Sequence, residues 1–180
     1  MVKEQDPDAA QAHMQPRVEA AGMPLDRVSV LHQQPLEGFM ELGHIADVAL
    51  DTSPVSGGTT TLHAVWMGLP IVTLDAVRGV EASTASALRG IRFGGEITKD
   101  VDGYVQAALR FMDDPDRLVH HRQISRSKLE ASILMNYSER TADLEKAYRF
   151  MWLNWLQNDQ QTLNVRDDLD QRLAQVEAAA

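Results

Sequence analysis

The sequence predicts an α/β fold in which a short parallel sheet lies between layers of helices. Short apolar runs alternate with longer segments whose apolar residues have helical spacing, a pattern typical of parallel sheets. A pair of glycines links one apolar run to the next helix, as expected where a strand leads into a helix through a tight turn. The C-terminal part has helical periodicity alone. These observations favour one three-layer lobe with a helical C-terminus.

Composition restricts the class of protein and its partners. The chain has 180 residues, 44% of them hydrophobic and 24% charged, which suits one folded domain with or without an appendage. A net charge of −9 argues against nucleic acid or an anionic membrane as the main partner. The lack of cysteine excludes disulfides and thiolate metal sites. Because the sequence has no signal-like start and no apolar run of membrane-spanning length, the predicted location is the cytoplasm.

The first half of the chain contains the predicted strands. A helix over 8–21 comes first, and Gly22 and Pro24 end it. Strands are predicted at 28–31, 48–50 and 71–74, with a short fourth at 92–97. The helices between them are predicted at 35–44, at 60–67 with Gly68 as its end, and late in 77–88. The strand at 48–50 is apolar on both faces, so we expect it inside the sheet.

The second half is predicted to be helical, with helices over 101–112 and 116–133 and a third that Ser138 caps. Seven apolar residues of the third helix recur at helical spacing, namely Leu144, Ala147, Tyr148, Met151, Trp152, Trp155 and Leu156. An aromatic stripe of this kind favours a core position over a cofactor site. We expect a loose N-terminus over 1–7, the lobe over 8–158, and a polar, marginally helical tail over 159–180.

The most informative segment is the glycine turn, residues 56–61, which follows the strand at 48–50. Gly57 and Gly58 permit a sharp turn and a close approach to a ligand. The start of the next helix offers free N–H groups and the positive end of its dipole to an anion, and Thr59, Thr60 and Thr61 add hydroxyl donors. Ligands of parallel sheets bind beyond the carboxyl ends of the strands, where this turn lies. A plain turn with a threonine N-cap explains the same spacing.

Two carboxylates and one histidine near this turn are further candidates for chemistry. Asp47 and Asp51 have the spacing of one strand face, so they could form an acid–base pair. A role for Asp51 in capping the turn is favoured. His63 lies in the helix that follows the glycine turn, and a hydrogen-bonded or surface histidine is favoured there over a catalytic base.

The remaining polar candidates have simpler interpretations. His120 and His121 are adjacent, so on a helix they point in different directions and cannot share a metal ion. Both are predicted to lie at the surface. Arg89 and Arg92 could reach a phosphate, although exposure to solvent is the favoured interpretation. No catalytic residue can be identified from these patterns.

Four segments together resemble the carboxyl-terminal part of the O-linked N-acetylglucosamine transferase family, in particular its bacterial SPINDLY-like branch. They are residues 46–52, 57–61, 66–74 and 144–152, and their order and spacing resemble the family from about residue 23 to 155. The resemblance implies one lobe of a GT-B enzyme, in which two Rossmann-like lobes face a cleft. The lobe resembled is the second, which holds the UDP part of the donor.

The resemblance also implies roles for individual residues. Gly57, Thr59 and Thr60 match positions at the donor diphosphate, so the diphosphate site is expected at Gly57, Gly58, Thr59, Thr60 and Thr61. His63 stands where the family has an aspartate that holds the ribose, which makes it a candidate ribose contact. Neither a cofactor nor a metal ion is expected.

This sequence departs from the family's pattern at several positions. Gly58 replaces a histidine, and Ser83–Thr84 replaces a Ser-Arg pair. The positions that match base-contacting Lys, His and Arg are here Leu36, Phe39 and Leu42. Each change removes a polar contact, so the identity of the nucleotide and the affinity for it stay open.

Three functions are consistent with these patterns. The leading hypothesis is the donor-binding half of a transferase that moves N-acetylglucosamine from UDP-GlcNAc to protein Ser or Thr. The chain alone is expected to be inactive, since the acceptor-side lobe and the repeats are not in it. The second hypothesis is a non-catalytic interaction module that self-associates through the Trp152/Trp155 helix. At least one of these tryptophans is then expected to be partly exposed, or to be covered by the tail or by a second copy of the chain. A third is an unrelated sugar-nucleotide enzyme such as an epimerase, against which the lack of a G-x-G-x-x-G motif counts.

Overall fold

The computed structural model describes residues 6–156, and beyond them only Ala174 and Ala178. Most of the predicted loose N-terminus and almost all of the predicted tail therefore lie outside the described residues. The sheet has three parallel strands in the order β1 (Ala49–Leu50), β2 (Ile71–Leu74) and β3 (Ile97–Thr98). Ala49 pairs with Ile71, and Thr73 pairs with Ile97. The predicted short parallel sheet is confirmed.

The described residues form seven α-helices around this sheet. They are α1 (Pro7–Ala20), α2 (Leu36–Ile45), α3 (Thr59–Trp66), α4 (Ser83–Ile91), α5 (Val101–Asp113), α6 (Pro115–Glu130) and α7 (Tyr137–Leu156). Short 3-10 helices lie at Leu25–Arg27 and Ile133–Met135. Aspartates cap three of the helices, because the side chains of Asp6, Asp100 and Asp114 accept backbone N–H groups of the first turn. None of the helices in this part of the chain is both long and apolar enough to cross a membrane.

The core lies on both faces of β2. Adjacent residues of a strand point to opposite faces, so Ile71 and Val72 join different clusters. The buried members of the larger cluster, from β2, α3, α4, α6 and the segment before β3, are Val65, Ile71, Leu88, Ile91, Phe93 and Leu129. The smaller cluster, under α5, consists of Val72, Ala107 and Phe111. Helices therefore cover both faces of the sheet, and the predicted three-layer arrangement is confirmed.

Two predictions about the strands are wrong. Residues 28–31 form no strand, although Val28 is extended with φ −120° and ψ 116°. β1 lies at the edge of the sheet, where Leu50 is 58% exposed, and β2 occupies the centre. Without a strand at 28–31, nothing in the described part of the chain pairs with the outer side of β1. Of the fourth strand predicted at 92–97, only the last residue lies in a strand, because β3 runs from Ile97 to Thr98.

Helix α7 differs from its prediction in both its cap and its buried face. The cap is Asn136 rather than Ser138, since Asn136 Oδ1 accepts the Glu139 N–H at 3.2 Å and Asn136 Nδ2 donates to Glu139 Oε2 at 2.7 Å. Phe150 is buried. Five members of the predicted core stripe are instead exposed, with exposures of 48–69% for Leu144, Tyr148, Met151, Trp152 and Trp155. The core interpretation is wrong, and the expectation that a tryptophan is exposed is confirmed.

His121 is buried, which contradicts the prediction of a surface pair for His120 and His121. Its ring stacks on Phe93 at 4.5 Å between centroids and meets the edge of Phe111 at 5.5 Å. Ser125 and Leu129 continue the same buried face at helical spacing, and this spacing was the missed signal. Burial lowers the pKa of His121 from its usual 6.5 to about 4, and nearby basic side chains add to the effect, namely Arg117, Lys128, Arg122 and His120.

Candidate functional site

The glycine turn is held at the carboxyl end of β1 by the carboxylate of Asp51. Asp51 Oδ1 accepts the Gly57 N–H at 2.8 Å. Its Oδ2 accepts hydroxyl hydrogens from Ser56 at 2.7 Å and from Thr73 of β2 at 2.7 Å. Tyr104 of α5 donates its hydroxyl to the Asp51 carbonyl oxygen at 2.8 Å. Asp51 therefore acts as the anchor of the turn, the role favoured for it from the sequence.

The start of α4 supports the turn from its other side. Ser83 Oγ and Thr84 Oγ1 both donate to the Gly57 carbonyl oxygen, at 2.6 and 3.2 Å. The Thr84 N–H donates to Ser56 Oγ at 3.0 Å. Thr84 Oγ1 also lies 2.8 Å from Thr61 Oγ1. From the sequence, Ser83–Thr84 indicated only a lost polar contact, and the supporting role of these two residues was not predicted.

The five residues predicted at the diphosphate site divide into two groups. Gly57 uses both its N–H and its carbonyl in the turn, and Thr61 is buried with its hydroxyl bonded to Thr84. A Cβ on Gly57 would lie 2.7 Å from Thr61 Oγ1, so a larger residue would clash at this position. Gly58, Thr59 and Thr60 are exposed. No side chain of the described residues caps the start of α3, and the Thr61 N–H donates to the Gly58 carbonyl oxygen at 3.1 Å, so the amides open to a ligand are those of Thr59 and Thr60 and of Gly58 before them.

An apolar cavity of about 250 Å³ lies beside this open helix start, between α2, α3 and β1. Its apolar walls include Phe39, Leu42, Ala46, Ala49, Met67 and Ile71. The polar side chains that line it are Asp51, Thr60, Thr61 and His63. The His63 ring meets Phe39 edge-on at 6.0 Å between centroids. Of the three positions predicted to replace base-contacting residues, Phe39 and Leu42 line this cavity and Leu36 does not.

Arg122 of α6 binds the C-terminal end of α2, which forms one wall of the cavity. Its guanidinium donates to the Gly43 carbonyl oxygen at 2.9 Å and also to the Ala46 carbonyl oxygen. The same helix packs against the end of α3, where Gly68 has φ +77° and a Cβ would lie 3.0 Å from the Arg122 carbonyl oxygen. The cavity therefore depends on residues from the helical half of the chain.

A second, polar cleft of about 480 Å³ lies beyond the ends of all three strands. Its charged lining residues are Asp51, Asp75, Glu81, Lys99 and Asp100. Arg89 forms a 2.6 Å ion pair with Asp75, and this contact lowers the pKa of Asp75. Asp47 is exposed and lines neither cavity, so the structure does not place it with Asp51 in a common site.

The other candidates lie away from the turn or have other partners. Arg92 ends α4 in the left-handed conformation with φ 65° and lies beside Phe93 and Glu96, away from the glycine turn. His63 lines the cavity, and its role as a ribose contact stays a prediction. Within residues 6–156, no group of three His, Asp or Glu side chains is arranged to hold a metal ion.

Comparisons with known proteins identify the family of this chain. The model of the family described as Glycosyl transferase family 41 matches residues 5–144. Over 162 residues the chain is 28% identical to a probable UDP-N-acetylglucosamine–peptide N-acetylglucosaminyltransferase SPINDLY of Solanum lycopersicum, with 89% of this chain and 17% of that protein covered. A protein of the same description from Hordeum vulgare is 32% identical over 124 residues, which cover 69% of this chain and 13% of that protein.

A solved structure is also similar. A mutant O-GlcNAc transferase of Thermobaculum terrenum superimposes with a TM-score of 0.73 at 34% sequence identity, and the match covers 82% of this chain and 28% of that one. The chain thus spans less than a third of the proteins it matches. Since the family model covers most of the described residues and the fold agrees with a solved member, this chain belongs to glycosyl transferase family 41.

Proposed function

We propose that this chain is the donor-binding lobe of a protein O-GlcNAc transferase-like enzyme, with UDP-GlcNAc as the donor. One observation carries the proposal: open amides and hydroxyls at the start of α3 lie next to an apolar cavity at the carboxyl end of β1. Helix starts of this kind bind phosphate groups. The names of the relatives supply the donor sugar and the peptide acceptor.

The proposed chemistry is the attack of a Ser or Thr hydroxyl of the acceptor protein on the anomeric carbon of the donor. The bond from that carbon to the diphosphate oxygen breaks, UDP leaves with the bonding electrons, and the proton of the attacking hydroxyl is released to water. Amides at Gly58, Thr59 and Thr60 and the two threonine hydroxyls then stabilise the charge that develops on the diphosphate. This scheme assigns that role to the chain's own donors and needs no cofactor. We include in the proposal a bacterial SPINDLY-like origin and a cytoplasmic location.

The test of the donor site is a titration of this chain with UDP, followed by amide NMR. We expect a dissociation constant of about 0.1–1 mM, which corresponds to roughly 4–5.5 kcal/mol. The shifts should concentrate at residues 57–62, because the open donors lie there. Replacing Thr59 and Thr60 together by Val should abolish them, while Thr141→Val, an exposed threonine of α7, should leave them unchanged. No response to UDP, or shifts centred on Trp152 and Trp155, would contradict the proposal.

A second candidate function, a protein-interaction module, is favoured by the exposed face of α7. Trp152 and Trp155 stack with their ring centroids 5.2 Å apart and are 58% and 69% exposed. Exposed aromatic patches of this kind mark interaction surfaces more often than isolated apolar residues do. We propose self-association of the chain through this face as the form this function takes.

Replacing Trp155 by Gln tests the interaction face. We expect a marked loss of self-association in sedimentation equilibrium and a change in the free energy of unfolding below about 0.5 kcal/mol, as for most surface substitutions. Met112→Gln is the matched control, since Met112 is 71% exposed on α5. If Trp155→Gln costs the ~3–5 kcal/mol of a truncated core aromatic, the face is part of the core and the interface is excluded.

A further inference from the structure

A cleft of about 280 Å³ lies between α6 and the segment that joins α4 to β3. It shares no lining residue with the apolar cavity or with the polar cleft described above. We call it the basic cleft, because Arg92, Arg117 and Lys128 line it and Glu96 is the only acidic residue of its lining. We propose that the basic cleft binds a phosphate group with two negative charges, as inorganic phosphate or as a phosphomonoester. This proposal goes beyond the donor site and does not depend on it.

The charge of the basic cleft is opposite to that of the chain. The chain has a net charge of −9, whereas three cations line the cleft with one carboxylate. That carboxylate, on Glu96, lies near Arg117, with 3.8 Å between Oε1 and Nη2. Arg92 and Lys128 form no ion pair with a carboxylate of residues 6–156. Two cations are therefore left for an anion, which matches the two charges of the proposed phosphate group.

Aromatic rings hold two of the three cations in place. Lys128 Nζ lies 4.4 Å from the centroid of the Phe93 ring and donates to the Arg92 carbonyl oxygen at 3.3 Å. The guanidinium carbon of Arg117 lies 4.9 Å from the centroid of the Phe111 ring. An ammonium group has three N–H donors, so Lys128 keeps two for a ligand. Because such side chains lose less freedom when a ligand binds, they favour a defined anion site over loose screening by counterions.

His121 adds a buried polar group to the basic cleft. Its side chain lines the cleft and is only 7% exposed, and none of the described residues forms a hydrogen bond to its ring. Glu96 Oε1 lies 3.8 Å from His121 Nδ1, which is too far for a hydrogen bond. Burial lowers the pKa of His121 to about 4, so the ring is neutral at pH 7 and carries one N–H. A phosphate oxygen in the cleft would accept a hydrogen bond from this N–H.

The segment before β3 adds backbone donors to the basic cleft. Gly94, Gly95 and Glu96 line the cleft, and their N–H groups donate to no oxygen of the described residues. A Cβ on Gly94 would have no atom within 4 Å, so the space beside this segment is open. Successive free amides bind anions in many proteins. The cleft therefore combines amide, imidazole, guanidinium and ammonium donors, which suits a phosphate group, whose ionised oxygens only accept hydrogen bonds.

The shape of the basic cleft favours a small anion over a membrane surface. A ligand must enter the cleft to reach His121, because the side chain of this residue is more than nine tenths buried. Phospholipid head groups instead form an extended surface, and the net charge of −9 opposes the approach of the chain to an anionic bilayer. We therefore expect a soluble phosphate compound as the ligand.

The experiment is an amide NMR titration of the 180-residue chain with inorganic phosphate at constant ionic strength. The pH is about 7.5, where a phosphate group carries close to two charges. We expect saturable shifts at residues 92–96 and 117–128, with a dissociation constant on the order of 1 mM. Phosphoserine should produce the same shifts, and serine, which lacks the phosphate group, should produce none.

Charge-removing variants show whether the cations of the cleft are responsible. The double variant Arg92→Gln/Lys128→Gln should raise the dissociation constant at least about tenfold, because it removes two charged donors. Arg92→Gln alone, at an exposed position, serves if the double variant does not fold. Arg17→Gln removes one charge from an exposed position of α1 and should leave the dissociation constant unchanged.

The ring of His121 provides a second readout that reports on the cleft itself. Sulfate replaces phosphate here, because it keeps two charges in acid. A bound dianion would offset the positive charges that oppose protonation of the ring, namely those of Arg117, Lys128, Arg122 and His120. Sulfate should therefore raise the pKa of His121 by at least about one unit relative to chloride at equal ionic strength. In the Arg92→Gln/Lys128→Gln variant, sulfate should have little effect on this pKa.

Three results would overturn the proposal. Phosphate shifts confined to residues 57–62, and lost when Thr59 and Thr60 are replaced by Val, would place the anion at the glycine turn alone. Equal weakening by Arg17→Gln and by the cleft variants would show that phosphate responds only to the overall charge. Binding to vesicles of phosphatidylcholine and phosphatidylserine without binding to inorganic phosphate would indicate a membrane surface instead. The UDP titration tests the donor site separately, so each proposal can fail while the other stands.

Discussion

The 180-residue chain by itself is expected to transfer no N-acetylglucosamine to a peptide, even with saturating UDP-GlcNAc. Transfer requires an acceptor hydroxyl held against the anomeric carbon of the donor. Such orientation is worth up to about 7–11 kcal/mol, or an effective molarity of about 10⁵–10⁸ M. The chain covers 28% of the Thermobaculum terrenum structure. Under the proposed function, it supplies only the donor side of the site. Without a partner surface, the largest part of the rate enhancement is lost.

The measurement is transfer of radiolabelled N-acetylglucosamine to a peptide mixture, with the Thermobaculum terrenum enzyme assayed in parallel. Heat-denatured chain gives the background. A UDP titration on the same preparation shows that the donor site is formed, so a lack of transfer cannot be attributed to misfolding. Labelled peptide above background, produced by the folded chain alone, would show that one lobe suffices for catalysis.

Stability is expected to fall by up to about 3 kcal/mol between pH 6.5 and pH 4 because of His121. Its pKa is about 4 in the folded protein and 6.5 in the unfolded chain, and each pKa unit corresponds to 1.36 kcal/mol. Above pH 6.5 the ring is neutral in both states, and its contribution is fully present. As the pH falls through this window, the unfolded chain takes up a proton that the folded protein refuses, so unfolding becomes easier.

Burial of the His121 ring is the main reason why the folded protein does not take up the proton, and the charged groups around the ring add to the effect. Arg117, Lys128, Arg122 and His120 oppose a positive charge on the ring. Glu96 Oε1 lies 3.8 Å from His121 Nδ1 and also 3.8 Å from Arg117 Nη2, so His121 shares this carboxylate with an arginine. Urea unfolding of the wild type and of His121→Phe at pH 7 and pH 4.5 isolates the effect. The variant should lose less stability on acidification, while His13→Gln, at an exposed position of α1, should behave as the wild type. Equal losses in all three proteins would show that other groups control acid stability.

The sequence predicted the helices better than the strands, because helix ends depend on neighbours in the chain. Gly22 and Gly68 have φ of +68° and +77°, the left-handed conformation that their position after a helix predicts. The prediction of a strand at 28–31 was wrong because alternating apolar residues indicate an extended backbone but do not show that a second strand lies beside it. Periodicity in α7 similarly identified an apolar face without showing whether anything covers it.

The candidate site was predictable where it is local in sequence. The glycines and threonines of the turn form one continuous segment, and Asp51 lies only six residues before Gly57. Thr73 and Ser83 bond to the same network from 22 and 26 residues away, which no spacing in the sequence indicates. The rings that bury His121 are those of Phe93, in the segment before β3, and Phe111 of α5. Both are distant in sequence, and the basic residues next to His121 favoured a surface position.

The hydrogen bonds from Arg122 to the carbonyl oxygens of Gly43 and Ala46 can form only late in the synthesis of the chain. Both of those carbonyls leave the ribosome more than 70 residues before the arginine that joins them. Arg126, one turn later, donates to the Trp66 carbonyl oxygen at 3.2 Å and fixes the end of α3 in the same way. A nascent chain that stops before α6 therefore carries the glycine turn and its cavity without these hydrogen bonds. The support of the cavity wall is completed only when the helical half of the lobe has been made.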